Sequence, residues 1–401
     1  MPVKVQVQVQ VILVTLLLLA GCKSDYESMA QHRVEYAKMN QGDIVITAIQ
    51  DTDKRHYIKG ISLAVQEINQ SSDGLLGRPL KLIIEQGHDD FKSSKSMIRR
   101  IANNPKVSIV LGHINDRVVI PSSIIYEKSQ LLYFPPFTTS EELTSHGSLF
   151  TFRMLPDNVH MARQISSMAE TLAYRKIAVL YARADQHREF SLLFEQAVTE
   201  KGLNLVFNHS FFGQTDDYRP FLSDLKKKEF DAVFLSADAK TATRLIRQMR
   251  EMGINSPILG SADLSSQEFE TSVGAAGNNT IVPTPYNVLT DNRINRNFIT
   301  RYRDKYKQSP DADAAQGYDS VMLFANKVER AQSTLPALLA SIVRFSPPWD
   351  GVTGTYRFNK EGNIEGKKYF FQVLNNEKWQ PLSATHLPLL KGAGKKVAAI
   401  R

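Results

Sequence analysis

Short apolar runs alternate with longer amphipathic stretches along most of the chain. The runs in the first part are rich in Val, Ile and Leu, which is typical of buried parallel strands. Between them, apolar residues such as Ile58, Ile61 and Val65 recur at helical spacing, and Pro121 is expected to begin a helix. The predicted strands are 44–49, 80–84, 107–111 and 131–134. This alternation predicts a doubly wound α/β lobe.

The same alternation starts again after a break near Pro156-Asp157. The strands predicted in this second part are 176–181, 203–207, 231–235 and 256–260. After Ile281 the pattern becomes helical again, and short strands close the chain. These predicted helices and strands are 292–306, 314–331, 354–358 and 369–373. The pattern therefore predicts two α/β units in tandem.

The first residues have a different character. An apolar run over 11–20 follows Lys4, and it is too short to span a bilayer, which takes about 20 apolar residues. Such a run suits the hydrophobic region of a signal peptide. It ends in Leu19-Ala20-Gly21-Cys22, which resembles the lipobox of bacterial lipoproteins, in which the cysteine is lipidated. We therefore expect a signal peptide over 1–21 and lipidation of Cys22. The alternative is an uncleaved anchor with an incidental cysteine.

Composition narrows the possible functions. The 401 residues carry a formal net charge of +8, but no basic segment is interleaved with aromatic residues, so nucleic acid is not an expected partner. The single cysteine excludes an intramolecular disulfide. We found no nucleophile elbow, zinc-protease motif or phosphate-binding loop, so we expect neither an enzyme nor a bound metal or cofactor.

An ordered series of landmarks resembles the type I periplasmic binding proteins, specifically the leucine/isoleucine/valine-binding family. The resemblance covers roughly residues 43–380. Its landmarks are Gly60 to Asn69 in the first helix, the turn Gly74 to Leu80, Asp89-Asp90, Gly112-His113, Pro135 to Thr144, and Gln316 to Val321. The resemblance implies two Rossmann-like lobes joined by a three-strand hinge, with a ligand in the cleft between them.

The resemblance also implies a division of the chain. Residues 43–156 and 284–352 would form the N-terminal lobe, and 157–283 and 353–390 the C-terminal lobe. From the polar composition of 22–42 we expect a tether that lifts the lobes off the membrane, and 391–401 are expected to be a flexible tail.

Eight residues are expected to line the cleft. By the resemblance, Thr139 would hold a ligand carboxylate and Phe137 would offer a carbonyl to an ammonium group. Asp116 stands where the family has a serine, and Asp238 where it has a tyrosine. The complete set is Asp116, Arg117, Phe137, Thr138, Thr139, Gln186, Asp238 and Asp263. These polar replacements favour a polar or charged solute over Leu, Ile or Val.

Structural roles are open for the same residues. Asp116 could cap the helix before Pro121, and Thr138 and Thr139 could cap the helix through Glu141. Asp263 could be a turn residue only. The charged loop 51–56 could be a solvated loop, and His113 could orient its loop rather than bind a metal.

The sequence thus predicts a monomeric solute-binding lipoprotein of the cell envelope, facing the periplasm or the exterior. Its expected partners are a small-molecule ligand such as an amino acid or amide, the membrane through the lipid, and an ABC permease. The alternative is a sensor or scaffold that acts on a membrane protein. Neighbouring permease and ATPase genes would favour transport.

Overall fold

The computed structural model describes residues 25–39, 41–51, 54–71 and 74–395. Cys22 and the predicted signal peptide lie outside these residues. The N-terminal lobe is built on a parallel sheet with the strand order β2-β1-β3-β4. Its strands are β1 (Ile44–Gln50), β2 (Leu80–Gln86), β3 (Val107–Leu111) and β4 (Leu132–Phe134).

The C-terminal lobe has a seven-stranded sheet with the order β13-β12-β9-β8-β7-β5-β6, in which β5 to β9 are parallel and β12 and β13 are antiparallel. Its strands are β5 (Lys176–Ala182), β6 (Asn204–Phe211), β7 (Ala232–Ser236), β8 (Ile258–Gly260), β9 (Thr280–Thr284), β12 (Phe370–Asn375) and β13 (Lys378–Pro381). A separate hairpin pairs β10 (Trp349–Gly351) with β11 (Gly354–Tyr356).

Helices cover both faces of each sheet. In the first part of the chain they are α1 (Asp25–Met39), α2 (Arg55–Ser71), α3 (Phe91–Asn103), α4 (Asp116–Lys128), α5 (Asn158–Thr171) and α6 (Asp185–Glu200). The others are α7 (Arg219–Lys226), α8 (Ala239–Glu251), α9 (Gln267–Val273), α10 (Arg293–Tyr306), α11 (Ala312–Ala331), α12 (Pro336–Phe345) and α13 (Leu387–Lys395). The predicted two-lobed α/β fold is confirmed. None of the helices within the described residues is long and apolar enough to cross a bilayer.

The chain passes between the lobes three times. Met154 packs in the N-terminal core and Leu155 in the C-terminal core, and the return occurs between Val282 and Tyr286. The third passage lies between Ile364 and Tyr369, later than the expected boundary at 353. The expected boundary was too early because the aromatic side chains of Tyr356 and Phe358 are buried in the N-terminal core.

Two glycines, Gly60 in helix α2 and Gly317 in helix α11, allow these helices to cross closely. A Cβ atom on Gly60 would clash with the carbonyl of Ala314, and one on Gly317 would clash with the carbonyl of Tyr57. Helices α2 and α11 therefore pack backbone against backbone in the N-terminal lobe. Glycine is therefore needed at positions 60 and 317, where a side chain would keep the two helix backbones apart.

The expected tether is largely a helix that packs on the N-terminal lobe. The side chain of Arg33 is 2 % exposed, and its guanidinium donates to the carbonyls of Ala102, Asn104, Val107 and Ser129 at 2.5–3.3 Å. Burial lowers the pKa of Arg33 to about 10, so it stays charged at neutral pH. The apolar pattern missed helix α1 because a buried arginine and small alanines make its contacts.

Other elements differ from the prediction in identifiable ways. Helix α4 begins at Asp116, and Pro121 lies inside it rather than at its start. A strand at Thr280–Thr284 was not predicted. The expected flexible tail from 391 is still helical to Lys395 because α13 packs on the C-terminal core, where the Tyr174 hydroxyl donates to the carbonyl of Leu390.

Candidate functional site

The candidate site lies where the carboxyl ends of the parallel strands of both lobes meet. Phe137, in the loop after β4, packs against the cores of both lobes. Its ring meets that of Tyr57 edge-on at 5.3 Å, and the ammonium of Lys54 lies 4.7 Å from its centroid. Phe137 thus forms the floor of the cleft, which is where ligands bind in open α/β sheets.

Asp116 faces the C-terminal lobe from the first turn of α4. Burial raises the pKa of its carboxyl, and the charges of Asp263 and Glu189 in the other lobe raise it further. Asn115, not Asp116, caps α4 by accepting the amide of Arg117 at 3.0 Å. The carboxylate of Asp116 is therefore free of the capping role, and it forms no ion pair among the described residues.

Thr138 lies beneath Asp116. Its side chain is 2 % exposed, and its hydroxyl forms no hydrogen bond of standard geometry within the described residues. The hydroxyl is nevertheless close enough to the Asp116 carboxyl to oppose the rise in its pKa. Ser140 caps the short turn Glu141–Leu143 that follows, so neither threonine has the capping role considered above. A buried donor beside a carboxylate suits the binding of a polar group.

Behind Thr138 lies an arginine that the sequence reading did not select. Arg153 is 1 % exposed and donates to Asn363 Oδ1 at 2.9 Å, to the Thr138 carbonyl at 3.4 Å and to Thr144 Oγ1 at 3.2 Å. Burial lowers the pKa of Arg153, while Asp116 and other carboxylates oppose this. Its signal in the sequence was a lone charge inside the apolar run 149–155, which is expensive to bury unless hydrogen-bonded.

The opposite wall comes from the C-terminal lobe. His187, at the start of α6, is 4 % exposed, and its Nδ1 lies 3.2 Å from Ser236 Oγ and 3.7 Å from Asp263 Oδ2. Asp263 also accepts a hydrogen bond from Ser261 Oγ at 3.1 Å. This places Asp263 at the end of β8 with its carboxylate half-exposed, facing Asp116 across the cleft.

The other expected site residues lie at the edge of the cleft or form hydrogen bonds with backbone groups. Asp238 is exposed and caps α8 by accepting the amide of Thr241 at 2.9 Å. Arg117 and Gln186 are exposed, and neither side chain forms a hydrogen bond with another described residue. The carbonyl of Thr139 accepts the amide of Asn158 at 2.9 Å, across the first passage between lobes. The structure brings together Asp116, Phe137, Thr138 and Asp263, and leaves Arg117, Gln186 and Asp238 outside this group.

The charged loop after β1 is partly tied to the lobe rather than solvated. Lys54 pairs with Asp313 at 2.9 Å, and His56 Nδ1 lies 2.5 Å from Asp311 Oδ2. This hydrogen bond raises the pKa of His56. His113, at the end of β3, is buried at a φ of 57° with its Nε2 3.0 Å from the Tyr126 hydroxyl. These contacts support the loops around the cleft.

The charges around the cleft are unevenly distributed. Asp116, Asp263 and Glu189 bring negative charge to the mouth, whereas the buried Arg153 supplies positive charge from behind Thr138. Such an arrangement can orient a molecule that carries both an ammonium and a carboxylate. Within the described residues, no cluster of His, Cys, Asp or Glu side chains is arranged to hold a metal ion.

Comparison with known proteins gives a consistent result. The family model described as periplasmic binding protein matches residues 49–378. The leucine-, isoleucine-, valine-, threonine- and alanine-binding protein of Pseudomonas aeruginosa is 23% identical over 315 residues, which are 78% of this chain and 83% of that protein. Leu/Ile/Val-binding protein homolog 1 of Brucella abortus is 24% identical over 309 residues, or 76% and 81% of the two chains.

A solved structure shows the same arrangement. The ABC transporter substrate-binding protein of Desulfitobacterium hafniense, in complex with Leu, is similar with a TM-score of 0.77 and 25% identity. The match covers 85% of this chain and 100% of that chain.

Proposed function

Because the chain belongs to the periplasmic binding protein family, we propose that it captures a small amino acid or a related polar amine in its cleft and delivers it to an ABC permease. The relatives are named as binding proteins for leucine, isoleucine and valine, one of them also for threonine and alanine, and these names describe binding proteins rather than enzymes. An amino acid carries an ammonium and a carboxylate on neighbouring atoms. The charges around the cleft have the sign that each of these groups requires.

The observation that carries the proposal is the carboxylate of Asp116. It is held partly out of water, beside a buried hydroxyl and opposite two further carboxylates, without an ion pair among the described residues. Keeping a charge in such a place costs free energy, which an ammonium group of a ligand would offset. We therefore assign Asp116 to the ligand ammonium, with Asp263 as the second carboxylate.

The ligand carboxylate would lie on the side of Thr138, with Thr139 and Arg117 at the edge. Thr138 offers its hydroxyl, and Arg153 behind it makes this end of the cleft positive. Phe137 would lie below the aliphatic part, while Gln186 and Asp238 would contact only a ligand longer than a small amino acid. This assignment favours small polar amino acids over branched apolar ones, because the carboxylates of Asp116, Asp263 and Glu189 face the cleft.

Membrane attachment is the second part of the proposal. Cys22, at the end of the lipobox-like sequence, would carry the lipid and keep the lobes on the outer side of a membrane. The lobes would act as a monomer, as expected of a receptor that presents its cleft to a permease.

Ligand binding can be tested by thermal denaturation of the purified protein with a panel of solutes. The panel contains serine, glutamine, leucine, lysine, putrescine and benzoate. A true ligand should raise the melting temperature with concentration, by about 2.7 kcal/mol of stability at 100 times its Kd. Serine or glutamine should raise the melting temperature more than leucine or putrescine, and benzoate, which has no ammonium, should not raise it.

The substitution Asp116→Asn should weaken binding of the best solute at least about tenfold, the equivalent of ~1.4 kcal/mol. Asp238→Asn is the matched control, since asparagine keeps the helix cap and the side chain is exposed. If no solute stabilises the protein at millimolar concentration, transport is the wrong function and the sensor or scaffold alternative is favoured. If benzoate binds best, the assignment of Asp116 is wrong.

A further inference from the structure

Three segments of the N-terminal lobe that contact one another carry exposed or partly exposed apolar side chains: helix α12, the loop at Leu149 and helix α4. Helix α12 presents Leu338, Ile342 and Phe345 at helical spacing on its outer side, and Phe345 is 70 % exposed. Leu149 and Ile124, which are 57 % and 44 % exposed, lie on the neighbouring loop and on α4. We call these five residues the basal face. An exposed apolar stripe of this kind is typical of a surface that meets another molecule.

Side-chain contacts connect the basal face to the start of α1. The Arg344 guanidinium donates to the carbonyl of Leu149, and the amide of Leu149 donates to the Glu127 carboxylate at 2.7 Å. The ammonium of Lys128, next along α4, lies 5.6 Å from the centroid of the Tyr26 ring. Helix α1 also packs against α12 and α4. The first described turn of the chain therefore lies beside the basal face.

The position of α1 is fixed rather than loose. Arg33 holds it to the base of the sheet through four backbone carbonyls, and Ala30 and Ala37 are buried beneath it. Cys22 precedes Asp25 by three positions in the chain, and three residues span at most about 10 Å. A lipid on Cys22 would consequently bring the bilayer surface to this corner of the lobe.

The chemistry of the face suits a lipid surface. Arg330 borders Ile342 and Phe345 in a groove of about 430 Å³, and Lys128 is exposed near Leu149. Apolar side chains flanked by cations are the features of helices that lie in the headgroup region of anionic membranes. The cleft is at the opposite end of the sheet from Arg33, so this orientation leaves it open.

We propose that the basal face rests on the bilayer that holds the lipid of Cys22, so that the protein has one fixed orientation on the membrane. This inference rests on the proposed lipidation of Cys22. In place of a long tether, a short segment would join the lipidated cysteine to helix α1, which is docked on the lobe.

The test uses the full lipidated protein in vesicles of phosphatidylcholine with a minority of phosphatidylglycerol. Because Cys22 is the single cysteine and lipidation blocks its sulfur, a fluorophore can be placed on one engineered thiol at a time. The variants are Phe345→Cys, Leu149→Cys and, as the control in the C-terminal lobe, Phe212→Cys, where the phenylalanine is 63 % exposed. Quenching by nitroxide-labelled lipid reports contact with the bilayer.

We expect quenching at positions 345 and 149 to exceed that at 212 about fivefold, because an interfacial apolar face enters the headgroup region. In an Arg33→Ala background the protein should stay on the vesicles, but the excess should disappear. Equal quenching at 345 and 212 in vesicle-bound protein would overturn the inference. Shielding of position 345 that depends on protein concentration without lipid would also overturn it, in favour of a second copy of the chain.

Failure of lipidation gives a different result. The protein would not sediment with vesicles at all, and Cys22 itself would react with the fluorophore. That outcome would contradict the membrane part of the proposed function, and with it this inference, whereas equal quenching in sedimented protein would contradict the inference alone.

Discussion

The ammonium of Lys367 donates a 2.7 Å hydrogen bond to Oγ1 of Thr353. Thr353 in turn donates to the carboxylate of Asp319 at 2.6 Å, and the Lys367 ammonium lies 3.4 Å from the carbonyl of Met154. Lys367 is in the third segment between the lobes and Met154 is at the first. Lys367, linked to the buried Asp319 through Thr353, therefore holds two of the three connecting segments together, at the place where lobe closure must bend the chain.

Replacing this lysine should be costly. Lys367→Met removes the donor to Thr353 and to the Met154 carbonyl, and we expect a loss of about 1–3 kcal/mol in the free energy of unfolding, as for other buried polar groups left without a partner. Urea denaturation measures it. Lys368→Met, at the exposed neighbouring position, should change stability by no more than about 0.5 kcal/mol. Equal stability of the two variants would show that Lys367 does not hold the hinge.

Asp116 should reduce the stability of the ligand-free protein at neutral pH. Its pKa is raised by burial, so the folded state disfavours the ionised form, and the penalty grows as pH rises above the ordinary carboxyl pKa. Asp116→Asn should thus raise the melting temperature by a few degrees near pH 7 and have little effect near pH 3. Calorimetry over this range is the measurement. A melting temperature lowered at neutral pH would contradict the electrostatic account of the cleft.

His113 should make the N-terminal lobe sensitive to acid. Burial lowers the pKa of His113 to about 3, whereas the unfolded chain takes up the proton near pH 6.5. Its stabilising contribution is therefore complete above pH 6.5 and is lost as pH falls, by up to about 1.4 kcal/mol for each pH unit.

His113→Asn should flatten this dependence, because asparagine does not titrate and tolerates the positive φ. Urea midpoints between pH 3 and pH 7 give the slope, and the exposed His146→Asn is the control. Parallel slopes for the wild type and His113→Asn would exclude His113 as the source.

Helix α1 should depend on Arg33. Arg33→Met keeps the aliphatic stem but leaves four carbonyls without their donor, and we expect a local loss of about 2–4 kcal/mol. Amide hydrogen exchange should show this loss in 25–39, with the sheets unchanged. Lys38→Met, which alters an exposed residue of the same helix, is expected to leave protection intact. Undiminished protection in Arg33→Met would mean that other contacts suffice to dock the helix.

The periodic apolar pattern by itself determined most strands, many helices and the presence of two α/β units, because buried strands and amphipathic helices leave such a pattern. The family landmarks also implied that the chain forms two lobes, and which segments build each lobe. What the pattern could not determine was helix α1, since a buried arginine bonded to carbonyls leaves no apolar stripe.

Only the tertiary structure decided which polar residues of the candidate site lie close together. Asp116 and Asp238 are alike in sequence, each near the end of a strand, yet one faces the opposite lobe and the other caps a helix. Arg153 acquires its role from Asn363, which lies more than 200 residues away in the chain. Lys367 acquires its role from Asp319, which lies on helix α11. Such roles depend on distances between segments that lie far apart in the chain, and local sequence patterns do not contain those distances.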